Sequence, residues 1–138
     1  MNAPLYNERI LRLATHVPDH RLIAPMGMSE KRSPVCGSRV TVEVNLDADG
    51  RVSEVGMLVN ACALGQASAA LLAEHVVGRT HGELRAASHA LAAWLAGEGA
   101  MPDWPGLDAL TPALTHHARH PAIRLAFEAA ADAAGQAR

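Results

Sequence analysis

The sequence predicts an α+β fold, a small antiparallel sheet of about three strands packed against a bundle of four to five helices. Three observations carry this. Val40, Val42, Val44 and Leu46 alternate with Thr41, Glu43 and Asn45, the period of a half-buried strand. Asp47-Ala48-Asp49-Gly50 supplies tight-turn residues, and Val52, Val55, Met57 and Val59 return as a second strand. From residue 63 onward, the apolar spacing changes to that of helices.

The remaining elements follow in chain order. Residues 5–16 form a short amphipathic helix, with Leu5, Ile10, Leu11 and Leu13 on one side and Asn7, Glu8 and Arg12 opposite. Pro18 stops it. Arg21-Leu22-Ile23 is expected as a short strand. Gly27, Ser29, Ser33 and Pro34 then mark a loop running into Cys36-Gly37. After the hairpin, Leu64, Ala67, Leu71 and His75 lie at helical spacing over residues 63–77, and Gly78 ends the helix. Thr80 and Glu83 have capping-box spacing ahead of a helix over 81–96 bearing Leu84, Ala87, Leu91, Trp94 and Leu95. Trp104-Pro105-Gly106 opens a short helical stretch through Leu107, Leu110 and Leu114. His116 to Pro121 joins it to a last helix over 121–134, with Ile123, Leu125, Ala126, Phe127 and Ala130. Residues 135–138 are expected to fray. Trp104 is expected to anchor packing, and Glu128 and Asp132 to lie on a solvated face.

At 138 residues the chain is expected to be one domain, with its core over 5–134. Its hydrophobic fraction of 49% suffices for a core built from Leu, Val and Ala. A net charge of −2 gives no reason to expect nucleic acid or a membrane surface as partner. The first residues carry Glu8, Arg9 and Arg12 rather than an apolar signal segment. No stretch reaches the roughly 18 apolar residues of a membrane span. A cytoplasmic protein is therefore expected, in which thiols stay free or bind metal more often than they form structural bridges.

Cys36 and Cys62 are the only cysteines, and the midpoint of their positions falls inside the hairpin turn. If the hairpin forms, both thiols emerge at its open end. That arrangement suits a metal, a disulfide or sulfur chemistry. Gly37 lets the backbone turn sharply beside Cys36. Cys62 falls at or just before a helix N-terminus, where the helix dipole favours thiolate.

Ser33-Pro34-Val35-Cys36-Gly37-Ser38-Arg39-Val40, the hairpin, and Ala61-Cys62-Ala63-Leu64-Gly65-Gln66-Ala67-Ser68-Ala69 resemble the iron–sulfur cluster assembly scaffold family, the IscU/SufU/NifU-N-terminal type. The likeness runs from about residue 5 to 134. It implies a site of three cysteines and an aspartate that binds zinc or iron, or carries a nascent [2Fe–2S] cluster. Cys36 and Cys62 fall on the first two cysteine positions. Ser38 stands where the family has aspartate. Arg119-His120-Pro121-Ala122-Ile123-Arg124-Leu125-Ala126 matches the family's Arg-X-X-Cys-X-X-Leu-Ala, with Ala122 at the third cysteine.

Two thiolates fall short of tetrahedral coordination. His116, His117 and His120 cluster just before Ala122, and His120, nearest the lost position, is the expected substitute ligand. Ser38 is a candidate weak ligand. His75, His81 and His89 are read as surface or boundary residues, and Arg39 as an exposed strand arginine.

The resemblance implies a scaffold or carrier working with a cysteine desulfurase and acceptor apoproteins. The alternatives are a degenerate relative acting as an interaction module with the desulfurase, or a zinc-dependent sulfur-transfer partner. No acid–base pair, nucleophile triad or phosphate loop suggests another enzyme.

Overall fold

The computed structural model describes residues 6–34 and 37–137. Its elements are α1 (Glu8–Ala14), β1 (Gly27–Arg32), β2 (Arg39–Leu46), β3 (Val52–Asn60), α2 (Ala63–His75), α3 (His81–Leu95), a 3₁₀ stretch (Leu107–Thr115), a 3₁₀ turn (His117–Arg119) and α4 (His120–Gln136). The strands form one antiparallel sheet in the order β1-β2-β3. This is the α+β architecture expected from the sequence.

The hairpin forms in the expected place. Val40, Val42 and Val44 are fully buried on β2, as is their neighbour Met57 on β3. Asp47 holds the turn by accepting bonds from the Asp49 and Arg51 N–H groups at 2.9 and 3.0 Å. The expected capping box is present, with the Glu83 N–H donating to Thr80 Oγ1 at 3.2 Å. Trp104 is buried, donates to the Leu71 carbonyl at 2.9 Å and packs edge-on against Phe127.

Helix α4 is the hub, touching β1, β2, α2 and α3. Its alanines, among them Ala126, Ala129, Ala130 and Ala133, are buried on all sides and let neighbours approach closely. Helix α2 is buried almost all round, from Leu64 through Leu72. It therefore forms a core layer of its own rather than an amphipathic surface helix. No helix among the described residues is long and apolar enough to cross a membrane.

The structure corrects four expectations. Helix α1 begins at Glu8 because Asn7 caps it, its Oδ1 accepting from the Ile10 N–H at 2.9 Å; Leu5 lies outside the described residues. Residues 21–23 are not a strand, and β1 is the stretch 27–32 that reads as a loop. Helix α4 runs on to Gln136, so residues 135 and 136 belong to it. Asp132 is not simply solvated, since it accepts from Ser29 Oγ at 2.7 Å.

Residues 20–22 instead strap the sheet. The Met57 N–H donates to the His20 carbonyl at 2.8 Å, covering part of the β3 edge. Arg21 donates to Glu43 Oε2 at 2.7 Å, and the Leu22 N–H to Glu43 Oε1 at 2.9 Å. The strap lies so close over Gly56 that a Cβ there would come within 2.9 Å of the His20 carbonyl oxygen.

Glu43 is buried, and the Arg21 guanidinium holds its carboxyl below the usual range; burial opposes this and the Leu22 N–H assists it. A depressed folded value contributes stability above the unfolded value, and that contribution is lost as pH falls through the folded value. Glu43→Gln is expected to cost about 1–3 kcal/mol at neutral pH. The gap between variant and wild type should narrow below the ordinary carboxylate range, about pH 4. Urea unfolding across pH 3–7 checks this; a gap that does not change with pH rejects the ionic role.

Candidate functional site

The open end of the hairpin closes at the Arg39–Asn60 pair. Chain leaving β3 passes through Ala61 to Cys62, which caps α2 in extended conformation (φ −66°, ψ 171°). The Cys62 carbonyl accepts from the Gln66 N–H at 2.9 Å, and Gln66 Nε2 donates to the Ala61 carbonyl at 3.0 Å. Backbone bonds thus fix Cys62, while its side chain makes no capping bond and is partly exposed.

On the other arm, Gly37 is left-handed at φ +73°, a conformation that favours glycine. The Gly37 N–H donates to the Ser33 carbonyl at 3.2 Å, and the Ser33 N–H to the Ser38 carbonyl at 2.9 Å. Ser38 is buried at 5% exposure. Cys36 lies outside the described residues.

The start of α4 completes the site. Gly65 on α2 faces Ala122 so closely that a Cβ would sit 3.2 Å from the Ala122 carbonyl oxygen. This contact brings Ala122 and Arg119 to a cavity of ≈160 Å³ that Cys62, Ala61, Asn60, Ser38 and Gly37 also line. Position 122 therefore shares a cavity with Cys62, and it presents a methyl group.

His120 faces elsewhere. It is buried, its Nε2 donates to the Ala113 carbonyl at 2.9 Å, and its ring meets His117 edge-on at 5.0 Å. It does not line the Cys62 cavity, and His116 and His117 are exposed. Among the described residues, no three of the His, Cys, Asp and Glu side chains gather as a metal-binding group.

Arg119 is the site residue that sequence reasoning missed. Arg119 lines the cavity, one helical turn before Ala122, and that spacing is the signal that marks it. A second cavity of ≈460 Å³ shares Gly37 and Asn60 with the first and adds Arg32 and Arg39. Glu30 lies 3.4 Å from Arg32 and 3.5 Å from Arg39, one carboxylate for two guanidinium groups. Three guanidinium groups thus line the two adjoining cavities, one of which Cys62 also lines.

Hairpin, buried α2 and a thiol at its N-terminus define a class, a small α+β domain presenting sulfur at the mouth of a sheet. The model of the NifU-like N terminal domain family matches residues 5–102, and the chain belongs to that family. A crystal structure of a nitrogen-fixing NifU-like protein (N-terminal) from Brucella abortus is 37% identical, with a TM-score of 0.89, over 96% of this chain and 93% of that one. A protein from the thermophile Fervidobacterium islandicum, described as a proposed iron–sulfur cluster assembly scaffold for the SUF system, shares the fold. It is 18% identical with a TM-score of 0.79, over 94% of this chain and 96% of that one. Among curated proteins none matches the sequence.

Proposed function

We propose that this chain is an iron–sulfur cluster assembly scaffold-like carrier, not an enzyme, which holds iron, zinc, a transient cluster or persulfide sulfur through Cys36 and Cys62. One observation supports this above the others. Cys62 is partly exposed at the head of a buried helix and shares its cavity with the start of α4, in a member of the NifU-like family.

Sulfur transfer needs no further cofactor. The Cys62 thiolate attacks the outer sulfur of a persulfide on a partner's cysteine. A new S–S bond forms on Cys62, the partner's S–S bond breaks, and the partner cysteine departs as thiolate. A cysteine desulfurase is the proposed donor and apoproteins are the proposed acceptors. Ser38, which lines the cavity, is the nearer auxiliary donor. His120 would serve only after the start of α4 rearranges, because its ring lies outside the cavity lining.

The Ala122 methyl favours a second reading, an interaction module that keeps a desulfurase-binding surface without holding a cluster. Anaerobic purification with assays of iron, zinc and acid-labile sulfide, together with a separate assay of protein persulfide after incubation with a persulfide donor, separates the two. The carrier reading expects metal or sulfide in the wild type and a loss of about 10-fold or more in Cys36→Ser and in Cys62→Ser. A wild type that takes up neither metal nor persulfide sulfur, even after reconstitution, leaves the interaction module.

A further inference from the structure

The two cavities at the open end of the hairpin share part of their wall. Cys62 and Arg119 line the smaller, ≈160 Å³, and Arg32 and Arg39 line the larger, ≈460 Å³; Gly37 and Asn60 line both. Among the described residues no carboxylate lines either cavity. Glu30 stands beside Arg32 and Arg39, and the Arg119 guanidinium has no partner among the described residues. Three guanidinium groups are thus set against one carboxylate. On the persulfide form of the carrier reading, we infer that these cavities select the sulfur donor: Cys62 takes its sulfur from low-molecular-weight persulfides that carry net negative charge.

Size, charge and access agree on this class of donor. The larger cavity falls within the roughly 300–1,000 Å³ of small-molecule sites, enough for the body of a carboxylate-bearing thiol. Guanidinium groups meet carboxylates through paired N–H donors, and a cationic donor meets like charge there instead. The common wall at Gly37 and Asn60 lets the sulfur end of the donor pass into the smaller cavity, where Ala61 and Ala122 are small and Cys62 is partly exposed. The Cys62 thiolate then attacks the outer sulfur of the persulfide. One S–S bond forms on Cys62, the donor's S–S bond breaks, and the donor leaves as thiolate. The step needs no oxidant or reductant.

The test uses the full chain carrying Cys36→Ser, in which Cys62 is the only thiol. Initial rates of sulfur uptake are read by mass spectrometry with glutathione persulfide as anionic donor, cysteine persulfide as neutral donor and cysteamine persulfide as cationic donor. N-acetylcysteine amide, an uncharged thiol, sets the rates that donor chemistry alone gives. Relative to that reference, the anionic donor is expected to outpace the cationic one by about 10-fold or more at low salt, with the neutral donor between them. Added salt should erase the preference. Arg119→Gln and Arg39→Gln are each expected to reduce it about 3-fold. Arg85→Gln, outside both cavities, should leave it unchanged. Equal relative rates for the three donors overturn the selection and leave the carrier reading standing. So does a preference that neither Arg119→Gln nor Arg39→Gln reduces, or one that Arg85→Gln reduces as much, since net charge then accounts for it. If Cys62 takes sulfur from none of the donors, the selection falls together with the persulfide form of the carrier reading, and the metal forms stand.

Discussion

Gly27→Ala is expected to lower stability by about 3 kcal/mol or more, a large share of the 5–15 kcal/mol that holds a typical domain together. The reason is the closeness of β1 to α4. A Cβ on Gly27 would overlap the carbonyl oxygen of Ala133, and would lie 3.0 Å from its carbon and 3.1 Å from the Ala137 nitrogen. All three are backbone atoms, so no side chain can swing away. β1 is also held by its pairing to β2, with Gly27 opposite Val44. Relief requires moving the hub helix or unzipping an edge strand. Gly50→Ala is the control. Gly50 has φ +78° with nothing near its Cβ position, so only the left-handed backbone opposes substitution, at about 1–2 kcal/mol. Thermal unfolding should show Gly27→Ala melting about 10 °C or more below wild type. Equal losses in the two variants would show that the close approach is not what matters.

Ala122→Cys is expected to slow the loss of bound iron to a competing chelator by about 10-fold. The position is buried at 1% exposure yet borders the ≈160 Å³ cavity, so one added sulfur has space beside Cys62. Ala126 lies one turn further along α4, equally buried and outside that cavity. Ala126→Cys should therefore leave retention unchanged. If both variants, or neither, hold iron longer than wild type, position 122 is not a ligand position. The pair separates a local donor effect from the general consequence of adding a thiol.

The hairpin was legible because the inward positions of β2 are Val40, Val42, Val44 and Leu46, and period-2 alternation needs no knowledge of the partner. The cap of α3 was legible because Thr80 and Glu83 interact within one turn. β1 was not legible. Its inward residues are Gly27, Ser29 and Lys31, aligned with Val44, Val42 and Val40. Apolar alternation is absent because α4 approaches too closely for a large side chain at Gly27, and because Asp132 satisfies the buried Ser29 hydroxyl. Met28, the apolar residue of the stretch, points outward and is 46% exposed. Arg21-Leu22-Ile23 looked like a strand, but Glu43 captures Arg21 and the Leu22 N–H and turns the segment into a strap.

The site divides in the same way. Cys62 at the head of α2 could be read from the chain, because a cap depends on neighbours in sequence. That Ser38 and Ala122 stand where the resembled family has an aspartate and a third cysteine was likewise visible in the residues. Three things awaited the tertiary structure: that Ala122 shares a cavity with Cys62, that Arg119 lines it, and that His120 faces the Ala113 carbonyl instead. Each depends on where α4 docks, through contacts such as Gly65 against Ala122 and Ser29 with Asp132, 103 residues apart. Periodicity and capping are local and survive in a linear string. Which face of a helix meets a distant strand follows from close packing, and a linear string does not record it.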